Sequence, residues 1–301
     1  MRALVTGASG FVGRWLLDHL RSMDDEVVAP NVDVTDADAL RAALDDARPH
    51  AVYHLAALAH VGASWAEPRE TFAVNASGAL NLLEAARALT PFPTVLLVGS
   101  AEVYGRVAAS DLPLREDAAL RPVSPYAASK VAAEFLGLQA HLGHGLPVVR
   151  VRAFNHIGPG QAPTFVVSSL ARQIAQASLH GGSSIRVGNL TPRRVFTDVR
   201  DVVRAYRLLV ERGTPGEVYN VCSGEAVAIA DIVDALVRIG GVRLEVVGDP
   251  ERVRAVDVPV LVGDPDRVAR ATGWRRELPL EASLADVLDH WRSELAGSGL
   301  R

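Results

Sequence analysis

Lysine is almost missing from this chain. Of 301 residues 31 are basic, and only Lys130 is a lysine. Cysteine is as rare: Cys222 stands alone, which excludes an internal disulfide and fits a reducing compartment. Excess positive charge is missing too. The net charge of −4 and a pI near 6.1 argue against a surface for nucleic acid or anionic membrane. No apolar run reaches the roughly 18 residues that a membrane-spanning helix needs. From Met1 the chain runs straight into a glycine-rich turn, not a secretory leader, so a cytoplasmic location is expected. There is no low-complexity tract and no internal repeat. What is present is apolar mass: 49% hydrophobic residues and a mean hydropathy of +0.16, enough for one large domain or two smaller ones.

Apolar runs alternate with helical stretches from the start. Strands are expected at Ala3–Val5, Glu26–Ala29, Ala51–Ala56, Thr94–Val98 and Pro147–Arg152, with a further segment opening at Val32-Asp33-Val34. Helical spacing marks Phe11–Leu20, Ala39–Ala47, Thr71–Leu89 and Tyr126–Leu142. Thr94–Val98 shows no polar alternation, as in a sheet buried on both faces. The expected fold is α/β, a Rossmann-type doubly wound parallel sheet with a smaller C-terminal α/β lobe. Residues 1–156 are expected to bind a dinucleotide, with segments returning near 196–222. Residues 157–301 are expected to form most of a substrate lobe, with helices at Val166–His180, Val199–Arg212, Ile229–Ile239 and Leu284–Leu295 and strands at Ile185–Val187, Val218–Val221 and Leu244–Val247.

Thr6-Gly7-Ala-Ser-Gly10-Phe11-Val12-Gly13 follows the first strand and opens the first helix. Gly7 permits the tight turn, Gly10 lets the backbone approach a pyrophosphate, and Gly13 allows close helix–strand packing. The free N–H groups of the helix start, at Phe11, Val12 and Gly13, suit an anion. Dinucleotide binding follows. The second strand, however, ends in Ala29-Pro30-Asn31, where the ribose-binding acid of NAD enzymes would stand. Asp33, followed by Val34, can bond the adenine amine, and Arg14 can reach a 2′-phosphate. The sequence therefore leaves NADH and NADPH both open.

Lys130 sits one helical turn after Tyr126, so ammonium and phenol share a helix face. A compact ammonium retained against an arginine-rich background suggests a site that needs lysine itself. Strand Thr94–Val98 leads into Gly99-Ser100-Ala101-Glu102, at the sheet end that faces the ligand crevice. Tyr126 is then the acid/base, Lys130 its electrostatic support and ribose ligand, and Ser100 the substrate orienter. A free phenol near pKa 10 exchanges protons poorly at neutral pH. Lysine and a cationic nicotinamide are expected to lower it by about three units, or roughly 4 kcal/mol.

Gly7-x-x-Gly10-x-x-Gly13 with Tyr126-x-x-x-Lys130 resembles the extended short-chain dehydrogenase/reductase family over essentially the whole chain. The resemblance implies that His54-Leu55-Ala56-Ala57 forms a cofactor-side loop, that Asn75 is structural, and that Arg152-Ala-Phe154-Asn155 lies beside the nicotinamide. Phe154–Gln161, Val187–Leu190, Arg194–Asp201, Tyr219–Gly224 and Val256–Asp264 resemble, within that family, the reductases of GDP-4-dehydro-6-deoxy-D-mannose. That resemblance implies a nucleotide-sugar substrate and reduction of its C4 ketone, giving GDP-D-rhamnose in those reductases. It assigns Arg194 and Arg254 to the diphosphate, Asn155 to diphosphate or sugar, and Val187, Asn189 and Leu190 to the nucleobase end. Arg193 and Arg252 are further cationic candidates. Arg194 is followed by Val195 where related nucleotide-sugar enzymes usually carry aspartate. Glu102 occupies the place where dehydratases keep a C5 base, so a 4-epimerase or 4,6-dehydratase with bound NAD is the alternative. Ala101 lacks the acid those dehydratases use beside it. A homodimer through the Thr71–Leu89 and Tyr126–Leu142 helices is a family expectation. His141-x-x-His144 lies at a helix end among glycines, and no metal is expected.

Overall fold

The computed structural model describes residues 1–252 and 258–298. The first half alternates β1 (Arg2–Thr6), α1 (Phe11–Ser22), β2 (Glu26–Val28), α2 (Ala37–Ala47), β3 (Ala51–His54), α3 (Pro68–Phe72), α4 (Gly78–Arg87), β4 (Thr94–Val98), α5 (Pro125–His144) and β5 (Val148–Ala153). Beyond it come β6 (Asn155–Ile157), α6 (Val166–His180), β7 (Ser184–Val187), β8 (Arg193–Asp198), α7 (Val199–Arg212), β9 (Val218–Val221), β10 (Ala226–Ala228), α8 (Ile229–Gly240), β11 (Glu245–Gly248), β12 (Val260–Leu261), α9 (Asp266–Thr272) and α10 (Leu280–Ser298).

Six strands form one parallel sheet in the order β2-β1-β3-β4-β5-β9. The chain steps outward from β1 to β2, then crosses back to β3. That reversal opens a crevice at the C-terminal ends of β1 and β3, where ligands bind in such sheets. Both faces are covered. Leu16, Leu20, Val203 and Tyr206 pack with Val5, Leu96 and Val151 on one side. Leu40, Leu82 and Ala133 pack with Leu4, Val52 and Val95 on the other. Double burial explains why these strands are apolar without alternation.

The C-terminal half builds a second core, with Leu170, Ile174, Leu236 and Leu288 closing α6, α8 and α10 together. Strands β10, β8 and β12 form a small sheet with β6 on β8, and β7 pairs with β11. Only β9 of the segment near 196–222 joins the large sheet. Strand β8 belongs to the small one, and α7 lies on the large sheet's face. The further segment opening at Val32-Asp33-Val34 is a loop. Asp33 closes it as a turn, its Oδ1 accepting from the Thr35 N–H and Oγ1 at 2.9 and 2.8 Å. Val34 then drops against Gly78, where a Cβ would lie 2.7 Å from Val34 Cγ2.

Candidate active site

The glycine-rich turn is built for close approach. Gly7 has φ +69°, and a Cβ there would stand 2.7 Å from the Ala56 nitrogen. A Cβ on Gly13 would overlap the Gly7 carbonyl oxygen. The turn and the Leu55-Ala56-Ala57 loop are thereby pressed together at the crevice. Gly10 caps α1 without any side-chain hydrogen bond, leaving the helix start open to an anion. His54 supports the junction from below, its Nδ1 hydrogen-bonded to Thr6 Oγ1 at 2.8 Å. Burial and the Lys130 charge hold His54 neutral, pushed down to about 3. These features fit a dinucleotide pyrophosphate.

The adenosine end is less specific. Asp33 remains solvent-exposed, and the two Thr35 bonds keep its carboxyl below the ordinary range. Val34 is buried and turned towards Gly78, so its side chain serves the core. Arg14 donates to the Gly160 carbonyl at 3.2 Å, and Trp15 to that of Pro159 at 3.1 Å. An open groove of about 500 Å³ lies beside Arg14, bounded also by Gln161, His290 and Trp291, away from Tyr126.

The catalytic candidates converge at the end of β4. Ser124 caps α5, accepting from the Ala127 N–H at 3.1 Å, and Pro125 opens the helix. Asn75 holds the adjoining elements: it accepts from the Leu58 N–H at 2.8 Å and donates to Leu58 O and Ser129 Oγ at 3.1 and 3.0 Å. It does so from the π-helical stretch Ala73–Ser77, which joins α3 to α4. Tyr126 and Lys130 are buried on the inner face of α5. Ser100, at the end of β4, lies near enough to the Tyr126 phenol to act on its acidity, and accepts from the Glu102 N–H at 3.2 Å. Glu102 is half-buried and near enough for its charge to act on Tyr126.

The electrostatics differ from the expected pattern. Among the protein's own groups, burial pushes Tyr126 up to about 12, and the nearby Ser100 hydroxyl only partly offsets it. Lys130 does not offset it, because its ammonium is anchored on the Val98 carbonyl at 3.0 Å. Burial lowers Lys130 to about 8. A phenol at this value is protonated at neutral pH, the form that a general acid needs.

Other expected site residues are placed differently. The Phe154 ring packs 6.3 Å from Tyr104 and fills the space a Cβ on Gly263 would need. Its N–H and carbonyl bond Val221 and His156, so its visible role is packing. Asn155 is half-buried, and its side chain has no hydrogen-bond partner among the described residues, leaving it available to substrate. Val187 is part of the second core. Asn189 is exposed and closes a turn on Thr191, with 3.1 and 2.9 Å bonds. Arg194 is buried on β8, donating to Arg193 O at 3.0 Å. Arg193 donates to Ala226 O, and Arg252 to Asp249 and Ser169. Arg254 lies outside the described residues. His141 spends its Nδ1 on Leu146 O at the end of α5.

Sequence reasoning missed a buried polar network beside this site. Arg152 donates to Glu134 through Nε and Nη2 at 2.9 and 2.7 Å, and through Nη1 to the Tyr104 hydroxyl and Glu116 O, both at 2.9 Å. The Tyr104 hydroxyl donates to Asn220 Oδ1 at 2.7 Å. The one available signal was Glu134, which extends the Tyr126–Lys130 face by another turn.

A pyrophosphate turn at the switch point, with a buried Ser–Tyr–Lys group at the neighbouring strand end, defines a nicotinamide-dependent short-chain oxidoreductase. The family model for GDP-mannose 4,6 dehydratase matches residues 27–287, and the chain belongs to that family. It is 39% identical to the GDP-6-deoxy-D-mannose reductase of Pseudomonas aeruginosa, with 98% of each chain covered. It is 28% identical to the GDP-mannose 4,6-dehydratase of Sinorhizobium fredii, over 88% of this chain and 81% of that protein. Among solved structures, RMD from Pseudomonas aeruginosa complexed with NADPH superposes with a TM-score of 0.91 at 38% identity, covering 97% of this chain and 99% of the other. The Thermus thermophilus UDP-glucose 4-epimerase complex with NAD gives 0.87 at 29% identity, over 97% and 99% of the two chains.

Proposed function

We propose that the protein reduces the C4 ketone of a nucleotide-linked 4-keto-6-deoxyhexose, with GDP-4-dehydro-6-deoxy-D-mannose as substrate and GDP-D-rhamnose as product. The observation that carries this reading is the 39% identity to a GDP-6-deoxy-D-mannose reductase over 98% of the chain, joined to a site able to do ketone chemistry. A reduced nicotinamide supplies hydride to C4 when bound. The remaining steps belong to the protein. Gly7, Gly10 and Gly13, with the open start of α1, hold the pyrophosphate. Ser100 and Tyr126 both hydrogen-bond the ketone oxygen, fixing its direction. As charge grows on that oxygen, Tyr126 passes its proton to it. Lys130, one turn away with its ammonium held on the Val98 carbonyl, orients the ribose. Asn155 and Arg194 support a nucleotide-sugar end, since an amide and a guanidinium suit hydroxyl and diphosphate oxygens.

Residues 1–156 serve the dinucleotide in this scheme, and residues 157–301 mostly the sugar nucleotide. NADPH and NADH both fit a β2 end that carries neither acid nor arginine. A homodimer is supported by the exposed side chains of Phe72 and Leu80 along α3–α4 and of Phe135 and Leu142 on α5. A cytoplasmic location is in keeping with Cys222 remaining a buried free thiol. Among the described residues, no helix is long and apolar enough to cross a membrane.

The test is direct. The purified protein with GDP-4-dehydro-6-deoxymannose and NADPH or NADH should consume absorbance at 340 nm, and product NMR should show a new carbinol hydrogen at C4. No consumption with any 4-keto-6-deoxy sugar nucleotide would end the reading. Glu102 beside Tyr126 favours one second reading, an epimerase or dehydratase cycle with retained NAD. Stoichiometric cofactor co-purifying with the protein, with turnover that needs no added nucleotide, would favour that cycle.

A further inference from the structure

The two halves of the active site are on different elements. Glu102 belongs to a short 3₁₀ turn, Ala101–Tyr104, that follows β4, and Ser100 caps that turn. Tyr126 and Lys130 belong to α5. One buried guanidinium reaches both. Arg152, 4% exposed, holds Glu134 with two bonds, and Glu134 lies two turns beyond Tyr126 on the same face of α5. Through Nη1 the same guanidinium reaches the hydroxyl of Tyr104, the last residue of the turn. Its carbon also stands 4.9 Å from the centre of the Tyr104 ring. Tyr104 is fully buried. Its hydroxyl accepts from Arg152 and donates to Asn220 Oδ1, so both its roles are filled. Asn220 is fixed in turn, taking Glu116 Oε1 on its N–H at 2.8 Å and Leu114 O on its amide at 2.9 Å.

We propose that Tyr104 is a positioning residue: through Arg152 and Asn220 it fixes the turn carrying Ser100 and Glu102 relative to the α5 face carrying Tyr126. The inference deepens the ketone-reductase reading and rests on it. The hydroxyl is two residues from Glu102 and touches neither substrate nor reacting atoms. Its effect runs through where Ser100 Oγ stands with respect to the phenol. Two groups that must meet one ketone oxygen tolerate little misplacement, because displacement of about 1 Å in an active site can cost on the order of a hundredfold in rate. A hydroxyl that only stabilised the fold would act independently of Ser100. One that positions Ser100 has nothing to position once that serine is gone.

The experiment is a double-mutant cycle on the full chain with GDP-4-dehydro-6-deoxymannose and NADPH. Tyr104→Phe should lower kcat about tenfold, leaving NADPH affinity, read by fluorescence titration, within about twofold of wild type. In the Ser100→Ala background the same change should cost less than about twofold. Asn220→Ser, which removes the acceptor of the Tyr104 O–H, should behave likewise and serves if Tyr104→Phe does not fold. Tyr53→Phe, which removes a buried hydroxyl without a partner elsewhere in the sheet, should leave kcat unchanged. Equal losses in both backgrounds, or wild-type kcat in Tyr104→Phe, would overturn the proposal. Wild-type protein that reduces no 4-keto-6-deoxy sugar nucleotide would instead remove the reading beneath it.

Discussion

At the scale of single residues, Lys130 combines a cost with a use. Its ammonium is buried against the Val98 carbonyl, and burial brings it from an ordinary 10.5 to about 8. Such a fall corresponds to roughly 3 kcal/mol against the charged form. Because the folded value lies below the unfolded one, the unfolded chain binds more protons between pH 8 and 10.5. This group's contribution to stability therefore rises with pH across that window, and its penalty is complete below it. Lys130→Met should raise stability at pH 7 by about 1–2 kcal/mol, read by denaturant melts, while abolishing turnover. Lys130→Arg should keep the charge and still lose most activity, because a planar fork cannot replace a compact ammonium on the Val98 carbonyl. Near-normal activity in that variant would deny the lysine any special role. The same values assign the alkaline limb of the rate. Tyr126 stays protonated up to about 12, so kcat/KM should fall above about pH 8 as Lys130 loses its proton. A profile flat to pH 10 would contradict the assignment.

At the scale of elements, the legible parts were those with one strong local cause. The glycine turn reads from sequence because its requirement is steric: a Cβ at Gly13 meets the Gly7 carbonyl oxygen, a fixed backbone atom. Gly13→Ala should therefore push α1 away from β1 and weaken NADPH binding at least tenfold in a titration, with a smaller loss of thermal stability. Helix α7 was placed correctly over Val199–Arg212, because its buried stripe is regular and Asp198 caps it, accepting from the Arg200 N–H at 2.8 Å. The short strands β6, β10 and β12 were not legible. Each is two or three residues long and exists only because β8 lies beside it. Tyr126, Lys130 and Ser100 were readable as a group, but the phenol's environment was not. Burial, which raises it, is a tertiary quantity, and so is the Val98 carbonyl that diverts the lysine. Phe154 and Val187 were expected at ligands and lie in apolar clusters, since resemblance of a segment does not reveal which way a side chain turns.

At the scale of the whole molecule, the active-site face of α5 and its outer face have separate tasks. Tyr126, Lys130 and Glu134 point inward, whereas Phe135 is 53% and Leu142 75% exposed. These two lie seven residues apart, and so on one stripe. Helices α4 and α5 pack side by side, and Phe72 at the end of α3 and Leu80 on α4 are exposed apolar side chains too. Apolar side chains on adjoining helices suit a self-complementary contact with a second copy across a two-fold axis. Light scattering should therefore give twice the chain mass of 32.0 kDa at micromolar concentration. Phe135→Asp with Leu142→Asp should shift the mass to that of one chain, because a carboxylate cannot be buried in such a contact without a partner. The inner face of α5 is anchored by Ser124, Asn75 and Arg152, none of which depends on the outer stripe. The monomeric variant should thus keep NADPH binding within about threefold, with any loss appearing as lower thermal stability. Mass unchanged by both substitutions would place the contact elsewhere. Lost NADPH binding in a folded monomer would show that the outer face supports the site after all.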